Sequence, residues 1–117
     1  MTDDDLAAKS CIPCRGGVPP LAGEELARLL AALGPNGWQV VAGHHLEKDY
    51  RFPDFAQALE FVNRVGAISE AEGHHPALAL AWGKVGIQVW THKIDGLTES
   101  DFVLAAKCDR ALEPRHR

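Results

Sequence analysis

Apolar residues recur at helical spacing in three stretches of the chain. Residues 23–33, GEELARLLAAL, carry one apolar stripe that consists of Leu26, Leu29, Leu30 and Leu33. After Pro53, a residue suited to a first helical turn, DFAQALEFVNRVGAISEAEG has a wider apolar face: Phe55, Leu59, Phe61, Val62, Val65 and Ile68. A third stretch, DFVLAAKCDRAL, begins at Asp101, which lies three residues after Thr98 at the spacing of a capping box. The pattern predicts three helices.

The intervening segments alternate polar and apolar residues with the two-residue period of strands. WQVVA and HLEKDYRF flank a predicted turn at Gly43 and His44, and ALALAW and KVGIQVWTH flank Gly83. In the last segment Val85, Ile87 and Val89 lie on one face, and Gly86, Gln88, Trp90 and His92 on the other. The element order is helix-strand-strand-helix-strand-strand-helix. It predicts an α+β fold in which a four-stranded antiparallel sheet has helices packed on one face.

The length of 117 residues suits one domain. Residues 1–20 contain many polar residues and end in a proline-rich stretch. This composition predicts a flexible N-terminal arm. We expect the domain to span residues 21–113 and a short tail to cover 114–117.

Charge and hydropathy exclude several classes of partner. Asp and Glu number 16 against 12 Lys and Arg, so the net charge is −4 and no broad basic face is available for nucleic acid. No apolar run approaches the roughly 18 residues that a membrane span needs. The acidic start MTDDDLAAKS lacks the layout of a signal peptide, which predicts a cytoplasmic protein. A small, weakly charged ligand fits this composition best.

The three cysteines cannot form a complete disulfide framework, which agrees with a reducing compartment. Cys11 and Cys14 form a CxxC pair, but the Gly and Pro that follow cannot continue as the helix that would activate a thiolate. Zinc needs four ligands, and the remaining cysteine is the distant Cys108. We predict no metal site and interpret CIPC as a loop pair, with redox or zinc chemistry as the less favoured alternative.

The histidines cluster around the second predicted hairpin. Gly73 is placed to end the long helix and Pro76 prevents its resumption, so His74 and His75 lie on a connector. The hairpin register can bring His92, at the end of the second strand, level with this connector. For His44, His45 and His116 we predict ordinary structural roles.

Three clustered imidazoles favour proton-transfer chemistry over metal binding. The rings of neighbouring extended residues such as His74 and His75 point in different directions and rarely bind one ion. The three rings cannot all stay charged near neutral pH, so the set offers at least one acid and one base. Glu70 lies four residues before His74, and we expect the two to share a helical face and to pair.

These residues and their spacing resemble the pterin-4a-carbinolamine dehydratase family, also called 4a-hydroxytetrahydrobiopterin dehydratase. The resemblance covers roughly residues 21–113 and rests on Glu70, the HHP run, an aromatic residue and THKIDGLTESD. It implies a cofactor-free lyase that converts 4a-hydroxytetrahydropterin to quinonoid dihydropterin and water, for reuse by aromatic amino acid hydroxylases. The catalytic residues it implies are His74, His75, His92 and Glu70. We expect substrate contacts from Trp82, Pro76, Trp90 and Asp101, with a core position as an equal alternative for Trp82.

Two features depart from the family pattern. Some members have a basic residue where this chain has Ser100, and many lack the CIPCRGG arm. The family also leaves two alternatives open, a non-catalytic dimerisation or coactivator module and a pterin-handling protein of molybdopterin metabolism. Because an open four-stranded sheet has strand edges that need cover, we expect a homodimer or homotetramer.

Overall fold

The computed structural model of the chain describes residues 6–12 and 16–112. The helices and strands follow the predicted order. They are α1 (Gly23–Leu33), β1 (Gln39–Val41), β2 (His45–Arg51), α2 (Phe55–Glu72), β3 (Ala77–Ala81), β4 (Lys84–Val89) and α3 (Glu99–Arg110), with short 3-10 turns at Leu6–Ala8 and His92–Ile94.

The strands form one antiparallel sheet in the order β1-β2-β4-β3. In the central pair Leu46 lies opposite Val89, and at the β3 edge Ala77 lies opposite Gln88. Helices α2 and α3 pack on the sheet and α1 packs on α3, so the predicted α+β fold is confirmed.

The core lies between the inner face of the sheet and the helices. Val85, Ile87 and Val89 are fully buried, as their alternation predicts. They pack in one cluster with residues of β2 and of the helices, among them Leu46, Tyr50, Phe61, Val65, Phe102 and Leu104.

Two details differ from the sequence-based expectation. Strand β4 ends at Val89, so His92 does not end the strand but begins a 3-10 turn beyond it. The apolar face of α2 is wider than the surface it buries, because Phe55 and Leu59 remain 44% and 40% exposed.

A partly buried acceptor, Asp109, joins the end of α3 to the sheet. Its carboxylate accepts hydrogen bonds from Trp38 Nε1 at 3.1 Å, Lys48 Nζ at 2.7 Å and the Tyr50 hydroxyl at 2.6 Å. Burial, together with the hydrogen bond to Asp109, raises the pKa of Tyr50 well above its usual range. Tyr50 therefore acts here as a neutral donor that fixes α3 against β2.

Part of the N-terminal arm packs against the domain. Leu6 is 1% exposed within the core, and Lys107 Nζ donates to the Ala7 carbonyl at 2.8 Å. The Cys11 amide donates to Glu72 Oε1 at 2.8 Å. Residues 6–12 thus contact α2 and α3, whereas the flexible character of the arm and the domain boundary at residue 21 stay predictions.

Candidate active site

A cavity of about 290 Å³ opens between the end of α2 and the segment that follows β4. The pairing of Ala77 with Gln88 places the residues just before β3 beside those just after β4. The hairpin register therefore brings two histidine-bearing segments to one site. The cavity is lined by Gly73, His74, His75, Trp90, Thr91, His92 and Lys93.

Gly73 sets the direction of the first segment. It adopts a left-handed conformation (φ 66°), and its amide donates to the Ser69 carbonyl, the ordinary way to end a helix with glycine. The chain then leaves the helix axis, and Pro76 keeps His75 out of the helical conformation. His74 and His75 consequently stand beyond α2 at the mouth of the cavity.

His74 is paired with a fully buried carboxylate. Its Nε2 lies 2.6 Å from Asp101 Oδ1, and Asp101 is 0% exposed. The other oxygen, Oδ2, accepts from the Thr91 hydroxyl and from the Thr98 amide, both at 2.8 Å. Asp101 thus fulfils the predicted capping box of α3 and also holds the His74 ring, which makes Nε2 the protonated nitrogen when the ring is neutral.

His75 has a different, solvent-exposed partner. Its Nε2 lies 2.6 Å from Glu70 Oε2, and the two side chains are 59% and 79% exposed. The predicted pairing of Glu70 with His74 is therefore wrong. Four-residue spacing brings side chains together only within a helix, and the left-handed Gly73 ends α2 before His74.

His92 comes to the cavity from the second segment, on the turn His92–Ile94. Its ring stacks on the Trp90 indole with centroids 4.5 Å apart and planes inclined by 26°. Backbone bonds between Thr91 and Gly96 close the base of this turn, and the Thr91 hydroxyl is held by Asp101. One buried aspartate thus supports both segments of the site.

Comparison with known proteins decides the family. The family described as pterin 4 alpha carbinolamine dehydratase matches residues 19–111 of this chain. The chain belongs to this family. Its name denotes a hydro-lyase, so the protein is a member of a lyase family.

Relatives named as candidate pterin-4-alpha-carbinolamine dehydratases share much of the sequence. One from Rubrobacter xylanophilus is 59% identical over 91% of this chain and 97% of its own length. One from Rickettsia bellii is 56% identical over 89% of this chain and 91% of its own length.

Two solved structures share the dehydratase fold. A transcriptional coactivator/pterin dehydratase from Brucella melitensis has a TM-score of 0.74 and 30% identity, and the match covers 80% of this chain and 99% of that one. A pterin dehydratase-like protein identified as a RuBisCO assembly factor in the alpha-carboxysome has a TM-score of 0.58 and 25% identity, with 66% and 90% covered.

The other residues of this family member that were expected to contact substrate lie in different places, and not all of them line the cavity. Trp90 lines the cavity, as expected for a substrate contact. Trp82 is in the β3–β4 turn, 68% exposed at the opposite end of the hairpin, so neither a place in this cavity nor a core position describes it. Pro76 adjoins His75 outside the lining residues, and Asp101 is too deeply buried to meet substrate directly. Its contact with His74 assigns it to orienting that ring.

Ser100 and the N-terminal arm, the two departures from the dehydratase pattern, contact each other. The Ser100 hydroxyl accepts from the Ile12 amide at 2.8 Å and lies 3.3 Å from the Ile12 carbonyl. Here Ser100 therefore holds the N-terminal arm and supplies no charge to the cavity.

The cysteines that the structure describes do not have the surroundings of reactive thiols. Burial raises the pKa of Cys11 to about 12, with a further contribution from Glu72, and burial raises the pKa of Cys108 to about 12. Cys14 and His116 lie outside the described residues. Within residues 6–12 and 16–112 no three or more His, Cys, Asp or Glu side chains are grouped so that they could hold a metal ion. In the same ranges no helix is long and apolar enough to cross a bilayer.

Proposed function

We propose that this protein dehydrates 4a-hydroxytetrahydrobiopterin, a pterin-4a-carbinolamine, to quinonoid dihydropterin and water by histidine acid/base catalysis. The observation that carries the proposal is that His74, His75 and His92, which come from two segments of the chain, line one cavity. Membership of the dehydratase family supports the substrate class.

The reaction needs two proton transfers. A general acid protonates the C4a hydroxyl as its carbon–oxygen bond breaks, and a general base takes the proton from N5, whose electron pair forms the new C4a=N5 bond. The products are one quinonoid dihydropterin and one water; the electron pair of the C4a–O bond leaves with the water, and no oxidant or reductant is needed. Groups that exchange protons near neutral pH suit both transfers.

The structure supports a division between the two sides of the cavity. Asp101 holds the Nε2 proton of His74, which leaves Nδ1 to exchange a proton with substrate. His92 and His75 provide further proton carriers, His75 with Glu70 as its partner. A substrate bound between these groups is within reach of an acid and a base in a single binding pose.

The cavity also suits the ligand. Ligand pockets usually measure roughly 300–1,000 Å³, and about 290 Å³ is adequate for a bicyclic molecule. The Trp90 indole supplies an aromatic wall for a flat ring. No metal, nicotinamide, flavin or ATP takes part in the proposed reaction.

A stopped-flow assay of 4a-hydroxytetrahydropterin disappearance with purified protein tests the proposal directly. The parent protein should exceed the uncatalysed rate, and His74→Ala, His75→Ala and His92→Ala should lose activity while circular dichroism stays unchanged. Parental rates in all three variants would refute the proposed acid/base mechanism. If the parent protein did not accelerate the reaction, the proposed function would be refuted.

We propose further that the protein works as a homo-oligomer in the cytoplasm. Phe55 and Leu59 on α2 and Leu78 on the edge strand β3 are 37–44% exposed, and the edge sequence ALALA carries no charge that would discourage strand pairing. Sedimentation should detect a dimer or tetramer at micromolar concentration, and a monomer alone would contradict the proposal. The product would then pass to a reductase and on to aromatic amino acid hydroxylases.

The same exposed surfaces favour a second candidate, a protein-binding module. The Brucella melitensis relative is described as both a coactivator and a dehydratase. Phe55→Ser and Leu59→Ser should weaken assembly, and the histidine variants should leave it intact. Intact assembly without turnover of any 4a-hydroxypterin would favour the binding module over the enzyme.

A further inference from the structure

A second pair of histidines lies next to the proposed active site. His44 is in the β1–β2 turn and His45 begins β2, and their Nδ1 atoms are 3.0 Å apart. His44 Nε2 lies 2.7 Å from Asp95 Oδ1, and His45 Nε2 lies 3.2 Å from Glu47 Oε1. The four side chains thus form a continuous chain of carboxylate, imidazole, imidazole and carboxylate.

The hydrogen-bond pattern of this chain requires a proton between the two imidazoles. Each Nε2 faces a carboxylate, which only accepts, so each Nε2 donates a proton. The 3.0 Å contact between the Nδ1 atoms needs one more proton, because two lone pairs would repel each other. Gln88 Nε2 also donates to Glu47 at 3.3 Å.

The chain ends on the turn that carries His92. Asp95 is the residue that closes this turn, with its amide donating to the His92 carbonyl at 3.2 Å. The rings of His44 and His45 also lie 5.2 Å and 5.9 Å from the Trp90 indole, on which His92 stacks. The histidine pair thus contacts the His92 turn through a carboxylate and through an aromatic ring.

Backbone conformation marks the same contact. Ala42 (φ 54°) and Asp95 (φ 52°) are the non-glycine residues with positive φ in the described ranges, and each lies in one of the two turns that His44 joins. A left-handed conformation is unfavourable for an ordinary residue, and Asp tolerates it better than Ala. Such outliers persist where surrounding contacts hold them and often occur beside functional groups.

We infer that His44, His45 and Asp95 are positioning residues for His92. They fix the Trp90 ring and the 92–95 turn so that the His92 imidazole stands across the cavity from His74 and His75. The inference rests on the proposed dehydratase function and extends it to residues outside the cavity lining. None of the three is among the residues that line the cavity, so their removal should affect the reacting geometry more than substrate affinity.

Three variants separate the links. Asp95→Gly keeps the left-handed turn and removes the carboxylate, and Asp95→Asn keeps both the turn and an oxygen that accepts from His44. His44→Phe keeps a ring beside Trp90 and removes both nitrogen contacts. Asp49→Asn is the control, because it removes one carboxylate from β2, on a residue that pairs with Lys84 and not with the His92 turn.

The expected result is a kcat effect with little change in KM. Displacement of a reacting group by about 1 Å can cost up to about a hundredfold, so we expect Asp95→Gly and His44→Phe each to lower kcat about tenfold. The double variant should be no slower than either single variant, since both break the same link. Asp95→Asn should recover most of the loss, and Asp49→Asn should match the parent.

Imidazole ¹⁵N NMR spectra give a readout that does not depend on turnover. Asp95→Gly should shift the His92 ring signals and remove the signature of the proton between His44 and His45, whereas Asp49→Asn should do neither. If the parent has no dehydratase activity, the proposed function fails and these signals alone decide the positioning role. Unchanged His92 signals in Asp95→Gly and His44→Phe, or an additive loss of kcat in the double variant, would overturn the inference.

Discussion

The hydrogen bonds of Asp101 make Asp101→Asn the most discriminating single substitution. Oδ2 has two donors, the Thr91 hydroxyl and the Thr98 amide, whereas Oδ1 faces His74 Nε2. The amide oxygen of Asn must take the Oδ2 place, because an NH₂ group there would face a backbone N–H. Its NH₂ group then faces His74.

Two donors cannot share the 2.6 Å contact that now joins His74 to Asp101. The His74 ring must move its proton from Nε2 to Nδ1, so that Nε2 can accept from the new amide. The nitrogen proposed to exchange a proton with substrate is then blocked.

Loss of a proton carrier typically slows turnover about 10²- to 10⁴-fold, which we expect here for kcat. The free energy of unfolding should fall by only about 1–2 kcal/mol, because the hydrogen bonds to Thr91 and Thr98 persist although their acceptor is no longer charged. The variant should therefore be folded and nearly inactive.

Stopped-flow turnover, urea unfolding and the ¹⁵N shifts of the His74 ring together test this reasoning. Asp109→Asn is a matched control on the same helix, since Asp109 also accepts three hydrogen bonds but lies outside the cavity lining. It should lower stability and leave kcat near the parental value. If folded Asp101→Asn kept kcat within about threefold of the parent, or His74 kept its Nε2 proton, the assigned role of the Asp101–His74 pair would be refuted.

Four further outcomes are expected. His92→Ala should slow turnover by about two to four powers of ten and Glu70→Gln by less than about tenfold, with sedimentation and circular dichroism unchanged; equal losses would contradict the assigned roles. Leu6→Ala should lower the free energy of unfolding by about 2–5 kcal/mol in urea titrations, whereas Ile12→Ala, at a site 72% exposed, should not, and equal stabilities would show that the arm does not support the core. Bonds from the arm amide and from Lys107 lower the pKa of Glu72 below 4.5, so its contribution to stability is full above that pH and is lost as pH falls through the folded-state value; Glu72→Gln should flatten this acid dependence, and an unchanged curve would contradict it. Chelators should leave activity and unfolding unchanged, and activity that chelation abolishes and zinc restores would revive a metal site.

The fold could be predicted because its elements depend on local patterns. Alternation in β4 identified Val85, Ile87 and Val89 as buried, and the capping-box spacing located the start of α3. Such patterns do not predict which residues of an apolar face remain exposed. Phe55 and Leu59 continue the stripe of α2, yet what covers a stripe depends on the placement of the other elements.

The site could be predicted in part because hairpin register follows from sequence. That register brings His74, His75 and His92 to one cavity, while it leaves Trp82 at the far end of the same hairpin. The partners of the rings could not be derived in the same way. Asp101 lies 27 residues after His74 and reaches it only through the tertiary packing of α3, which no local pattern encodes.

The two imidazole–carboxylate pairs of the site have equal length and unequal surroundings. Nε2 lies 2.6 Å from a carboxylate oxygen in both His74 and His75, but Asp101 is 0% exposed and the Glu70 side chain is 79% exposed. Water and salt screen an exposed pair, so Glu70 contributes little beyond a preferred orientation of His75. A buried carboxylate without its partner would be costly, so Asp101 holds His74 in one tautomer and one position. In the proposed reaction the two adjacent histidines are therefore not equivalent: Asp101 fixes the orientation of His74, whereas His75 and its partner Glu70 are open to solvent.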